Sequence, residues 1–133
     1  MICLMDSHVM LWHFDDNPAL STRARKVIAD PQIDVYVSTV TFWELSLKHA
    51  LGKLSLEGIE PEEFEENLHD SGLAIIGLNE RESSSFHRLP AVPGHRDPFD
   101  RMLIWQAMCR GMTLISNDEC FEPYRAFGLR LLW

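Results

Sequence analysis

Residues 95–118 read HRDPFDRMLIWQAMCRGMTLISND, and the fold is decided here: one helix and one strand follow each other, with a carboxylate at each end. Asp97 suits a helix N-cap, because its side chain accepts the orphan backbone N–H groups, and Pro98 is pre-set for the first helical position. Phe99, Leu103 and Ala107 recur at helical spacing, and Ile104 and Met108 widen the apolar face. Gly111 sits where a left-handed C-cap stops such a helix, residues 112–116 form a short apolar run of strand type, and Asp118 follows. Asp100 lies in the first helical turn, in line with Ile104 and Ala107, and is therefore an acid on a face expected to pack inward. No lysine or arginine stands at an obvious position to neutralise it, so a metal ion is the expected partner.

Outward from this stretch, the apolar run ICLM (residues 2–5) predicts a strand ending at Asp6, with a helix over residues 7–14. Ser21 caps a short helix whose inner side carries Ala24, Val27 and Ile28, and residues 35–38 form a second strand. Thr41 and Glu44 have capping-box spacing at the start of the helix TFWELSLKHALGK. Pro61 opens the acidic helix PEEFEENLHDS, whose acids at 62, 63, 65 and 66 read as a solvated face, and residues 73–78 form a third strand. Asn79 and Glu82 start another helix reaching Arg88, residues 119–127 form a short helical turn, and residues 129–133 are a last strand.

Strands that alternate with helices predict an α/β fold with a mainly parallel central sheet. Ligands of such sheets sit at the carboxyl ends of the strands. Asp6, Glu44, Asp100 and Asp118 can all project from that one edge. Four clustered carboxylates repel one another strongly, which is relieved by protonation or by a divalent cation. Oxygen-only ligation favours Mg²⁺ or Mn²⁺ over zinc.

Composition narrows the alternatives. The 133 residues are expected to form a single domain, residues 1–133, with a globular 46% apolar content. The net charge of −8 disfavours nonspecific attraction to long nucleic acid and suits a basic protein partner. Cys3, Cys109 and Cys120 are too scattered for a disulfide framework or zinc site, and Cys3 and Cys109 read as small core residues. No apolar run approaches the ~18 residues of a membrane span. The ICLM run is too short for a signal peptide and lacks its basic flank, so a cytoplasmic location is expected.

Each acid has a plainer reading: Asp6 as a helix N-cap, Glu44 as half of a capping box, Asp97 as an N-cap, Asp100 as a dipole acid, Asp118 as a turn residue. Their shared edge favours the ligand reading of Asp6, Asp100 and Asp118. Ser7 is placed to hydrogen-bond a ligating carboxylate or a metal water. His95, Arg96, Arg101 and Lys48 flank the acids and are read either as phosphate contacts or as solvated charges, and His8 as a surface histidine. Leu11, Trp12 and Phe14 read as core or as a partner groove. A phosphoaspartate enzyme fits poorly, because position 8 is His and the last lysine is Lys53. A non-catalytic domain whose acids bind a basic partner is the remaining alternative.

Taken together, MICLMDSHVMLW, VYVSTVTFWELSLKHALGKL, HRDPFDRMLIWQA, LISNDECF and GLRLLW resemble a PIN domain, specifically a VapC-type toxin of a toxin–antitoxin pair. The resemblance covers nearly the whole chain and implies a three-layer α/β/α fold. It places the family's acids at Asp6, Glu44, Asp100 and Asp118, with Asp97 in the RDPFDR segment. Ser7 stands where Thr is common and keeps the hydroxyl. The resemblance further implies a Mg²⁺- or Mn²⁺-dependent endoribonuclease, a cognate VapB-type antitoxin as inhibitor, and a homodimer. Asp6, Asp100 and Asp118 would be metal ligands, and Glu44 a ligand or a water-orienting base.

Overall fold

Side chains alternate between the faces of a strand, and here that alternation divides the interior in two. In the first strand Cys3 and Met5 point into one core and Leu4 into the other, and Ile115 and Leu114 split in the same way. The computed structural model, which describes residues 1–133, places helices against both faces. The elements in chain order are β1 (Ile2–Met5), α1 (Ser7–Phe14), α2 (Thr22–Ala29), β2 (Asp34–Ser38), α3 (Thr39–Ala50), α4 (Pro61–Asp70) and β3 (Ala74–Ile76). After these come α5 (Glu80–Ser85), a 3-10 turn (Phe86–Arg88), α6 (Pro98–Arg110), β4 (Thr113–Ile115), a 3-10 segment (Glu119–Phe127) and β5 (Arg130–Leu132).

The sheet runs β3-β2-β1-β4-β5 and every pairing is parallel, so the expectation of a mainly parallel sheet holds throughout. One core joins α1, α2 and α4 to the sheet through Val9, Met10, Ala24, Val27, Phe64 and Leu68. The other joins α6 and the last 3-10 segment through Leu103, Ile104, Ala107, Phe121 and Tyr124. This is the α/β/α layering. No helix is long and apolar enough to cross a membrane.

Local chemistry sets the boundaries. Asp97 caps α6 by accepting from Phe99 and Asp100 N–H at 2.9 and 3.1 Å, with Pro98 at its start. Gly111 closes that helix at φ 63°, a left-handed position that glycine adopts without strain. Asn79 and Glu82, read as the start of a helix, form a capping box at the start of α5, and Ser21 caps α2.

Three expectations need correction. The helix carrying Glu44 starts at Thr39, not Thr41, because Ser38 caps it by accepting from Val40 N–H at 3.1 Å. Thr41 and Glu44 therefore sit inside the helix and make no capping box. The third strand is only Ala74–Ile76: Ile76 pairs with Ser38, where β2 ends, and no partner continues beyond it. Cys109 is exposed, on the outer side of α6, and only Cys3 is a core cysteine.

Candidate metal centre

The carboxyl edge of the sheet collects the acids from four segments. Asp6 directly follows β1, and its backbone N–H bonds Ile115 O at 3.1 Å, which ties it to the end of β4. Glu44 reaches the same edge from the second turn of α3, and Asp97 and Asp100 reach it from the start of α6. Asp118 follows the end of β4 by three residues.

Glu44, Asp97 and Asp100 each bring one carboxylate oxygen to within 4.8 Å of the others. Asp6 and Asp118 stand outside this tight set, Asp6 within its field and Asp118 within that of Asp6. The Asp118 charge raises the Asp6 carboxyl, and the Asp6 and Glu44 charges raise Asp100. Asp97 is thus both helix cap and member of the tightest acid group.

The individual carboxylates are held by hydroxyls and by two basic side chains. Asp6 occupies the cap position of α1 yet makes no side-chain cap bond, so its plain reading as a cap fails. Its Oδ2 instead accepts from Ser116 Oγ at 2.9 Å, an arrangement buried on both sides. Glu44 Oε1 accepts from Ser7 Oγ at 2.7 Å, and Ser7 Oγ lies 3.2 Å from Thr41 Oγ1. Glu44 Oε2 pairs with the Lys48 ammonium one turn along the helix. Asp100 Oδ2 lies 3.2 Å from His95 Nε2. Asp118 Oδ1 accepts from Cys120 N–H at 2.9 Å, and its own N–H donates to Ser116 Oγ at 3.1 Å.

The expectation that no lysine or arginine neutralises Asp100 holds, since its side-chain partner is an imidazole, whereas Glu44 does have an ammonium beside it. Lys48 supplies one charge to Glu44, and the buried His95 bonds Asp100. His95 is thus a buried group, and Lys48, though 36% exposed, is paired and not a free surface charge. Arg101 is likewise committed, donating to Leu89 O at 3.1 Å, Pro90 O at 3.2 Å and Tyr124 Oη at 3.2 Å. Arg96 and His8 are exposed. The sequence does not single out Ser116 or Tyr124, and it marks Thr41 only as a helix cap. Ser116, two residues before Asp118, was the most findable, as a hydroxyl at the end of a strand on the acid edge.

Two carboxylates about 5 Å apart repel by roughly 3 kcal/mol at an effective dielectric of ~20. One ammonium does not offset five neighbouring acids, and the imbalance shows in the titration of the group. Burial pushes the Asp100 carboxyl up to about 6, with Asp97, Asp6 and Glu44 adding to the rise and the His95 bond opposing it. Burial also pushes Asp6 up, against the Ser116 hydrogen bond. Burial acts to lower the Lys48 ammonium, but the Glu44 hydrogen bond and charge outweigh it and leave Lys48 above its ordinary value. A hard divalent cation with oxygen ligands fits this donor set: the oxygens converge, and the negative charge is left in excess.

The chain belongs to the PIN domain family, whose model matches residues 3–125. No curated protein sequence matches it. The fold is shared with solved toxin–antitoxin structures. A chain of VapBC2 from Rickettsia felis, bound to a DNA fragment from its promoter, superposes with a TM-score of 0.68 at 16% identity, covering 99% of this chain and 98% of that one. A chain of VapBC-1 from nontypeable Haemophilus influenzae gives 0.64 at 18% identity, covering 99% and 97%. A chain of VapBC-5 from Mycobacterium tuberculosis gives 0.62 at 16% identity, covering 98% and 95%.

Proposed function

We propose that residues 1–133 form one PIN domain that acts as a Mg²⁺- or Mn²⁺-dependent endoribonuclease, the toxin of a toxin–antitoxin pair. The observation that carries this reading is the convergence of Glu44, Asp97 and Asp100 within 4.8 Å, with the Asp6 charge acting on Asp100 and the Asp118 charge on Asp6. Asp6, Glu44, Asp100 and Asp118 are the catalytic set in this reading, with Asp97 as a further ligand.

A bound divalent cation would supply positive charge to the scissile phosphate and lower the pKa of water for attack. The residues of the chain do the rest. Ser116 holds one oxygen of Asp6, and Ser7 and Lys48 hold both oxygens of Glu44. Asp97 gives one oxygen to the α6 cap. These bonds fix the carboxylates before substrate arrives, which limits the reorganisation needed during reaction. Arg96, exposed beside Asp97, is available to the RNA backbone.

Membership of the VapC group, with a VapB-type antitoxin as partner, a homodimeric state and a cytoplasmic location, forms part of the same proposal. The fold shared with VapBC chains supports it, as does a net charge of −8, which favours a partner carrying Arg or Lys.

The test is cleavage of mixed RNA by the purified protein in Mg²⁺, beside EDTA and an Asp6→Asn control. Cutting that needs both metal and Asp6 is the expected result. Folded, antitoxin-free protein that cuts no RNA pool in Mg²⁺ or Mn²⁺ would overturn the reading and favour a non-catalytic domain that binds a basic partner.

A further inference from the structure

One run of side chains beside the acids is ordered end to end by which group can donate. It begins at Arg101, whose guanidinium has five N–H donors and no acceptor. That guanidinium is anchored on the carbonyls of Leu89 and Pro90 and lies over the Phe86 ring, 5.5 Å from its centroid. Its Nη1 also donates to Tyr124 Oη at 3.2 Å, so the phenol oxygen is the acceptor in that bond. The phenol proton is then free for His95 Nδ1, 2.9 Å away. A neutral imidazole that accepts at Nδ1 carries its proton on Nε2, and Nε2 lies 3.2 Å from Asp100 Oδ2. In this order every donor meets an acceptor.

The surroundings leave the ring little freedom. His95 is 7% exposed, Tyr124 is fully buried, and the imidazole packs against the Phe121 and Tyr124 rings, with centroids at 5.8 and 5.5 Å. Both ring nitrogens have partners within the protein, so neither is offered to a phosphate. The start of α6 positions Asp100 through its backbone, and the His95 contact fixes the remaining rotation of the carboxyl group.

We propose that His95, oriented by Tyr124 and Arg101, is a positioning residue that holds Asp100 Oδ2 and so keeps the Asp100 carboxylate turned toward Glu44 and Asp97. The proposal rests on the metal-centre reading for its consequence, which is cation affinity, but the tautomer it requires belongs to the metal-free protein. Partners that orient metal ligands in this way are typically worth about 10- to 100-fold in affinity or activity.

The experiment has two arms. In the first, long-range ¹H–¹⁵N spectra of metal-free protein labelled with ¹⁵N-histidine report which ring nitrogen of His95 carries the proton. The Nε2–H form is expected in the wild type, and Tyr124→Phe should lose that single-tautomer signature. An Nδ1–H ring in the wild type, or a signature unchanged in Tyr124→Phe, would overturn the proposal. In the second arm, Mn²⁺ binding is measured by titration calorimetry on variants whose fold is checked by circular dichroism. His95→Gln keeps an amide donor near the Nε2 position and should stay within about threefold of wild type, whereas His95→Leu should lose about tenfold or more. Equal affinity in folded His95→Leu would count decisively against the positioning role. Should His95→Leu fail to fold, Tyr124→Phe, isosteric and expected to lose about three- to tenfold, takes its place. Wild-type protein that binds no Mn²⁺ would sink the metal-centre reading instead, and the tautomer arm would then decide the relay alone.

Discussion

The molecule keeps buried carboxylates in two places and treats them in opposite ways. Glu82, 2% exposed at the start of α5, is compensated in full. Arg110 donates to both of its oxygens, at 3.1 and 2.6 Å to Oε1 and 3.2 Å to Oε2, and the Asn79 N–H caps it at 3.3 Å. The same arginine also bonds Gly77 O at 2.7 Å and so ties α6 to the loop after β3. On the carboxyl edge of the sheet, Asp6, Glu44, Asp97, Asp100 and Asp118 share one ammonium, one imidazole and several hydroxyls. A buried acid used for architecture has its charge matched. Acids left in excess carry a standing electrostatic cost, which an added cation would relieve.

That contrast can be broken most forcefully at the edge. Asp100→Asn should lower Mg²⁺-dependent RNA cleavage by about 10³-fold, of the order seen when a charge-stabilising group is removed from an active site, while the metal-free protein stays folded. Initial rates beside a thermal melt in EDTA check both halves. The complementary variant, Arg110→Met, leaves Glu82 buried without its partner. It should cost about 3 kcal/mol of stability while Mn²⁺ affinity stays unchanged, as read by urea unfolding and calorimetry.

Acidity sharpens the comparison. Asp100 titrates near 6 in the folded protein, above its ordinary value of 3.8, so between those values the folded state binds more protons than the unfolded state. In EDTA the protein should therefore gain about 1 kcal/mol from Asp100 as the pH falls from 7.5 to 5, and lose it again as the pH rises through 6. Asp6, also raised, acts with the same sign. Asp100→Asn should remove the Asp100 share. Mn²⁺ affinity should run the other way and weaken below about pH 6, where the carboxyl is protonated. The smallest effect belongs to Ser7→Ala, which removes one hydroxyl from Glu44 and should cost about 1 kcal/mol of stability.

How legible each region was follows from the range of the forces that built it. Caps and stops are local, so Asp97-Pro98, Gly111, Ser21 and the Asn79–Glu82 box could be read from neighbours in the chain. The alternation of strands and helices gave the parallel sheet and pointed to the edge on which Asp6, Glu44, Asp100 and Asp118 lie. The partners of the acids were harder to read, because they are set by folding together distant segments. Lys48, one helical turn from Glu44, was within reach of sequence reasoning and was read as a flanking charge. His95, read with Arg96 as a phosphate contact or a solvated charge, is buried by the packing of Phe121 and Tyr124. Ser38 displaced the helix start from Thr41 because a serine at a strand end can cap as well as a threonine further on. Cys109 lies about 200° round α6 from Ala107, off the apolar stripe, so the helical period itself points outward there and only the apolar character of a thiol suggests a core place.

The sheet order has a consequence in time. β1 lies at the centre, yet its neighbour β4 is the fourth strand to be made, and Ser116 follows the Asp6 it holds by 110 positions. At roughly 5–20 residues per second of synthesis, the interval between the two is roughly 5–20 s. During that wait Asp6 has neither its hydroxyl partner nor the backbone carbonyl of Ile115, and Asp97, Asp100 and Asp118 do not yet exist for much of it. A growing chain of this protein therefore carries its acid centre as separate pieces, and the centre closes only after β4 has been made and slotted beside β1.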